Sequence, residues 1–135
     1  SKVWNSLTPE SKKIQRIILN TADGISKREA GMIAKHLSVN FIDSVTRSNA
    51  QTLKAFFAHI FQQRISFDFS YIQENLSIKN DSAVASFKVQ FNDNNGNPIF
   101  NWTDYYPDSR IFVLFVKEKG RWRIRTTAKL VIKLR

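Results

Sequence analysis

"ISFDFSYIQENLSIKNDSAVASFKVQF", residues 65–91, decides the fold of this chain. Ile65, Phe67, Phe69 and Tyr71 alternate with Ser66, Asp68 and Ser70. Further on, Ala83, Ala85, Phe87, Val89 and Phe91 alternate with Val84, Ser86, Lys88 and Gln90. An extended backbone sends successive side chains to opposite faces, so a period of two with one apolar parity marks half-buried antiparallel strands. A bulge is expected near Gln73, and it leaves the direction of Tyr71 open.

Downstream, "NDNNGNP" (92–98) and "EKGR" (118–121) are turn sequences between strands. A calcium loop starting at Asp93 fails, because Pro98 and Asp104 stand where its glycine and glutamate belong. "RIFVLFVK" (110–117) is apolar on both parities and reads as a central strand covered on both faces. Upstream the period is helical. Thr8-Pro9-Glu10 is a helix start, with Thr as cap, Pro at the first helical position and an acid in the first turn. Ile14, Ile17, Ile18, Thr21 and Ile25 follow on one face, and Asp23-Gly24 weakens the helix without ending it. A second helical stretch holds Met32, Ile33 and Leu37 and stops near Ser38; Ser48 can cap a third, striped by Leu53, Phe56, Phe57, Ile60 and Phe61. Helices followed by hairpin-linked strands give an α+β class: N-terminal helices packed on one strongly curved antiparallel sheet, in a single domain over residues 1–135.

The chain has no cysteine, which removes disulfides, thiolate metal sites and a cysteine nucleophile together. Its two histidines, His36 and His59, are not closely spaced, so no metal and no cofactor is expected. No apolar run approaches the roughly 20 residues that span a bilayer. The compartment stays open: cytoplasmic, or exported with a signal peptide removed before Ser1. Three glycosylation sequons, beginning at Asn75, Asn80 and Asn101, read as chance in an Asn-rich chain.

The net charge of +10 is concentrated at one end: residues 110–135 hold nine Lys or Arg against one acid, Glu118. In the closing "KGRWRIRTTAKLVIKLR" (119–135) the odd positions from Arg121 are mostly cationic, while the even ones run Trp122, Ile124, Thr126, Ala128, Leu130, Ile132, Leu134. This is the pattern of a long strand rather than a loose basic tail. Arg121, Arg123 and Arg125 on its outer face form a candidate anion-binding surface beside the plain alternative of solvated charge. Nucleic acid is disfavoured as a partner, because the row lacks interleaved exposed aromatics for stacking.

The ordered set of landmarks resembles the nuclear-transport-factor-2-like superfamily, the cone-shaped α+β fold shared with ketosteroid isomerases and polyketide cyclases. The resemblance rests on "IQRIILNTADGISKREAGMIAKHLSVNF", "LKAFFAHIF", "IKNDSAVASFKVQF" and "VKEKGRWRI", and it covers nearly the whole chain. It implies a bent sheet wrapped around the first helix, a pocket inside the cone, and often a homodimer. It does not imply one chemistry.

Within that resemblance, Asp43 in "NFIDS" falls about where the isomerase branch carries its proton-transferring acid. A carboxylate desolvated there can act as a general base, and its plain alternative is a turn or cap acid. The first helix offers no Tyr and residues 110–117 offer no acid, so the rest of that branch's oxyanion set is missing. His59, on the face of Phe56, is a second catalytic candidate; the bland reading is a helix-edge histidine. His36 reads as a surface residue beside Lys35. Phe56, His59, Tyr71, Trp102 and Tyr105 are the candidate pocket residues, the last two from "IFNWTDYYPDSR" (99–110), whose aromatics can line a cavity mouth or close the core. The missing acid–base set favours a non-enzymatic domain that binds a small apolar or aromatic ligand or assembles as a homodimer. The alternatives are an isomerase, dehydratase or cyclase using Asp43 or His59, and an anion-surface binder.

Overall fold

The structure, a computed structural model, describes residues 8–63, 66–97 and 110–129. Helix α1 (Pro9–Ser26) and the short α2 (Ala30–Ala34) lead to strand β1 (Leu37–Asp43) and helix α3 (Ala50–Gln62). Strands β2 (Asp68–Lys79), β3 (Ser82–Asn92), β4 (Arg110–Glu118) and β5 (Arg121–Lys129) follow. The sheet order is β1-β5-β4-β3-β2, antiparallel from β2 to β5, with β1 added parallel to β5. This is the α+β cone: helices first, then a curled, unclosed sheet.

Helix α1 begins as its first residues dictate. The Thr8 side chain accepts from the Ser11 N–H, and Pro9 fills the first turn, where its missing donor costs nothing. Its apolar stripe, Ile14, Ile17, Ile18 and Ile25, is buried against Ala83, Ala85, Phe87, Val89 and Phe91 of β3 and against Phe115, Trp122 and Ile124. Gly24 lies inside the helix, as Asp23-Gly24 suggested, and its reason is contact with α2. A Cβ there would stand 2.9 Å from Met32 Cβ and 3.1 Å from Ile33 Cγ1. At the other end Glu10 ties α1 to the β4–β5 hairpin. Its Oε1 accepts from Lys117 Nζ and from the Trp122 indole N–H, both at 2.8 Å, which gives the buried Trp its polar partner.

Four expectations are corrected. The second helix does not reach Ser38: α2 ends at Ala34, and Leu37 opens β1. Its pairing with β5 is remote in sequence, and local periodicity cannot show it. Asn49 rather than Ser48 caps α3, accepting from the Thr52 N–H at 2.8 Å. Ser48 instead serves the preceding turn, its carbonyl taking the Asp43 N–H. "RIFVLFVK" is central, but only Phe115 in it is fully buried. Phe112, Leu114 and Val116 point to the outer face, away from the helices, and are half-buried. Finally, the alternation of the last strand breaks. Ile124 pairs with Phe115 and Thr126 with Leu114, so Arg125 is an extra residue and the faces exchange beyond it. Thr127 and Lys129 therefore stand on the inner parity, opposite Val113 and Ile111.

The bulge expected near Gln73 is present, with the register of β2 on β3 shifting between Gln73 and Asn75. Both Tyr71 and Gln73 lie before it, opposite buried Val89 and Phe87, and so face the helices. "EKGR" makes a two-residue hairpin loop with φ of +52° at Lys119 and +80° at Gly120, the mirror-image turn that matches strand twist. In the "NDNNGN" turn the Asp93 carboxylate accepts from the N–H groups of Asn95 and Asn97. Ile65, Pro98, the stretch from Ile99 to Ser109, and the last residues from Leu130 lie outside the described residues.

Candidate functional site

An open cleft of about 310 Å³ lies between the second half of α1 and the start of β2. Leu19, Ala22, Asp23 and Ser26 form one wall; Phe69, Ser70 and Tyr71 form the other. Helical spacing puts Leu19, Ala22 and Ser26 on one flank of α1, beside its buried stripe. Strand alternation turns Phe69 and Tyr71 inward, where their rings stack at 5.8 Å. The aromatic contacts continue without a break. Phe69 meets Phe91 at 5.0 Å, Tyr71 meets Phe87 at 6.1 Å, and Phe91, Phe67, Phe61, Phe57 and Phe56 carry the chain of rings out to α3.

Of the residues the sequence singled out, Tyr71 lines this cleft. Phe56 is 45% exposed on α3, edge-on to Phe57. His59 is exposed on the same helix, with its Nε2 2.9 Å from the Gln63 amide nitrogen. Neither is among the lining residues. Trp102 and Tyr105 lie outside the described residues.

Asp43 is 3% exposed, at the end of β1. Its Oδ2 accepts from the Thr46 N–H and the Thr46 hydroxyl, both at 2.7 Å, and its Oδ1 accepts from the Thr127 hydroxyl. The backbone closes around it, Asp43 receiving the Arg47 N–H and Ser44 donating to the Thr127 carbonyl. The carboxylate thus organises the β1–α3 turn and fastens it to β5. Because the faces exchange at Arg125, Thr127 reaches Asp43 rather than standing in the outer row.

The three arginines divide. Arg121 is exposed in the hairpin. Arg123 donates from Nη1 to the Lys35 carbonyl at 2.7 Å, at the C-terminal end of α2, and Arg125 donates to the Asn40 carbonyl at 2.6 Å. Leu37 pairs with Ile124 and Ile42 with Thr126, so the chain between Leu37 and Ile42 bulges away from β5. Asn40 lies within this irregular stretch, and Lys35 lies just before it. His36, read as a surface residue, is half-buried; burial and the neighbouring charges of Lys35 and Arg123 push its ring below its ordinary pKa.

Two residues escaped the sequence reading. The side-chain nitrogens of Gln15 and Gln73 have no solvent contact and no hydrogen-bond partner. An alternation search sees Gln73 only as a polar interruption in β2, which is the one signal that marks it. Among the described residues no three His, Asp or Glu gather into a metal-binding group, and no helix is long and apolar enough to cross a membrane.

No protein-family model matches the chain, and neither does any curated protein. Solved structures do. A domain of unknown function with a cystatin-like fold from Nostoc punctiforme superposes with a TM-score of 0.70 at 12% identity, over 94% of this chain and 81% of that one. An NTF2-like protein of unknown function from Pseudomonas putida gives 0.64 at 10% identity, over 91% and 87%. One from Shewanella baltica gives 0.63 at 14% identity, over 91% and 95%. At these identities the likeness is one of fold: the chain has the NTF2-like, cystatin-like cone.

Proposed function

We propose that this cone is a non-enzymatic domain that holds a small, largely apolar ligand between α1 and the sheet and pairs with a second copy through the sheet's outer face. The cleft carries the reading: Leu19, Ala22, Phe69 and Tyr71 share its walls with Asp23, Ser26 and Ser70, a continuous set of aromatic rings backs it, and neither catalytic candidate lines it. Concave sites that combine aromatic and aliphatic walls with a few polar groups are the usual form of small-molecule pockets. The pairing half draws support from Ile72, Val84, Phe112, Leu114 and Val116, which share the face of the sheet opposite the helices.

The test is to fill the cleft. Ala22→Trp should abolish binding of a neutral naphthalene probe and leave the melting temperature within a few degrees of wild type. Unchanged probe binding in that variant would move the ligand elsewhere. The enzymatic rival keeps one favourable observation, a carboxylate 3% exposed at the end of β1. Turnover of a small carbonyl or lactone substrate that Asp43→Asn abolishes would replace the binding reading with the enzymatic one.

A further inference from the structure

Every polar side chain among the described residues that line the cleft ends in oxygen. Asp23 contributes a carboxylate, and Ser26, Ser70 and Tyr71 contribute hydroxyls. A carboxylate only accepts hydrogen bonds, and a hydroxyl accepts as readily as it donates. The rings of Phe69 and Tyr71 add two π faces, which carry partial negative charge. Such a lining answers to a ligand group that is positive and bears N–H donors. The Asp23 carboxylate is also not consumed by the fold. Its backbone carbonyl accepts from the Lys27 N–H at 2.8 Å, within the helix end. Its side chain has no ion pair and no hydrogen bond among the described residues, although Lys27 stands one turn away on α1.

The neighbouring ring shows what these faces accept. Phe67, two residues before Phe69, carries the Arg28 guanidinium 4.2 Å above its centre. Among the described residues no cation lies over Phe69 or Tyr71. Arg28 donates to the carbonyls of Ser26 and Phe67, so it stands beside the cleft and outside its lining. We propose that the cleft takes a protonated amine with a flat apolar body. The ammonium donates to Asp23, with the Ser26 and Ser70 hydroxyls as further acceptors, and the body lies along Leu19, Ala22 and the rings of Phe69 and Tyr71. The charge of Arg28 and the net charge of +10 oppose a cation from a distance. Salt screens that repulsion, whereas contact with a carboxylate and two rings acts at hydrogen-bond and van der Waals range. The cleft is open, so the ammonium keeps part of its water and avoids the full cost of burial. This inference rests on the cleft being the ligand site and adds the charge and donor character of what it takes.

The test uses three naphthalene probes of similar size: 2-(2-naphthyl)ethylamine, cationic at neutral pH, the neutral 2-propylnaphthalene, and the anionic 2-naphthylacetate. Each is titrated into wild type and Asp23→Asn. The variant should bind the amine about tenfold more weakly, the worth of one charge-assisted hydrogen bond, and the hydrocarbon as wild type does. Wild type should bind the amine more tightly than the acetate, and Asp23→Asn should narrow that gap. In ¹³C-labelled protein the Asp23 carboxyl signal should move with the amine and little with the hydrocarbon. Without ligand the variant should melt within a degree or two of wild type. A loss of several degrees means that the fold uses the carboxylate, and it overturns the proposal. Amine binding that survives Asp23→Asn unchanged, or acetate binding as tight as that of the amine, overturns the amine assignment. Hydrocarbon binding that Ala22→Trp abolishes would still leave the cleft as the ligand site, and binding of none of the three removes both.

Discussion

Glu10 sits in the first turn of α1, where a helix favours negative charge, and it answers to three donors: Lys117, Trp122 and, at 3.3 Å, Lys13. The hydrogen bonds from Lys117 and then Trp122 hold its carboxyl at a pKa of about 2, against 4.5 for the free group. The folded pKa is the lower one, so on acidification the unfolded chain takes up the proton first. The contribution of Glu10 is therefore whole above about pH 4.5 and fades as pH falls toward about 2. Thermal melts of wild type and Glu10→Gln should differ at neutral pH and converge across that window; a gap that stays constant would rule this out. Asp43 acts at the same scale through hydrogen bonds from Thr46 and Thr127. Asp43→Ala removes the acceptor of three hydrogen bonds and should cost about 2–3 kcal/mol in denaturant unfolding, whereas Asp43→Asn keeps acceptor capacity and should cost less.

Among the elements, Gly24 shows why a local rule and a packed structure disagree. Ala would raise the helix propensity of α1 by about 1 kcal/mol. Its methyl would also press on Met32 and Ile33 of α2 at 2.9 and 3.1 Å. Overpacking of this kind costs about 1–3 kcal/mol, so Gly24→Ala should lower stability, as a calorimetric melt would read. The same contrast separates what the sequence disclosed from what it hid. The Thr8 cap, the isoleucine stripe, the alternation of β3 and the bulge by Gln73 depend on neighbours within a few residues, and each was legible. Strand β1 depends on a partner more than 80 positions away, so Leu37 passed for the end of a helix. The exchange of faces at Arg125 is a property of two strands in register rather than of one, and the unbroken alternation in the sequence concealed it. Of the candidate site, Tyr71 was legible as a candidate pocket aromatic, but its direction was not, because the bulge expected near Gln73 left it open. Gln15 and Gln73 were not, because a buried polar residue announces itself only once its surroundings are known.

For the whole molecule, the net charge of +10 and the apolar patch of Ile72, Val84, Phe112, Leu114 and Val116 act in opposite directions on the proposed pairing. Two copies meeting face to face bring like charge together, and added salt screens that repulsion. Sedimentation should find the dimer tightening between low and moderate ionic strength, and Leu114→Asp should leave a folded monomer. A nucleic-acid or polyanion partner would show the reverse dependence, weakening steeply with salt. Opposite slopes make one titration series decisive between the two.

Strand β1 closes one side of the sheet, and its path has a consequence for how copies of this chain can and cannot meet. A flat outermost strand offers a ready template for another chain to add itself and begin a fibre. Here the template is spoiled: between Leu37 and Ile42 the strand leaves the register of β5, and arginine side chains hold carbonyls at Lys35 and Asn40. Val39, 92% exposed, rides on that kinked stretch rather than on a straight one. An incoming strand finds no regular row of donors and acceptors to copy, so this margin terminates the sheet and guards the chain against open-ended polymerisation.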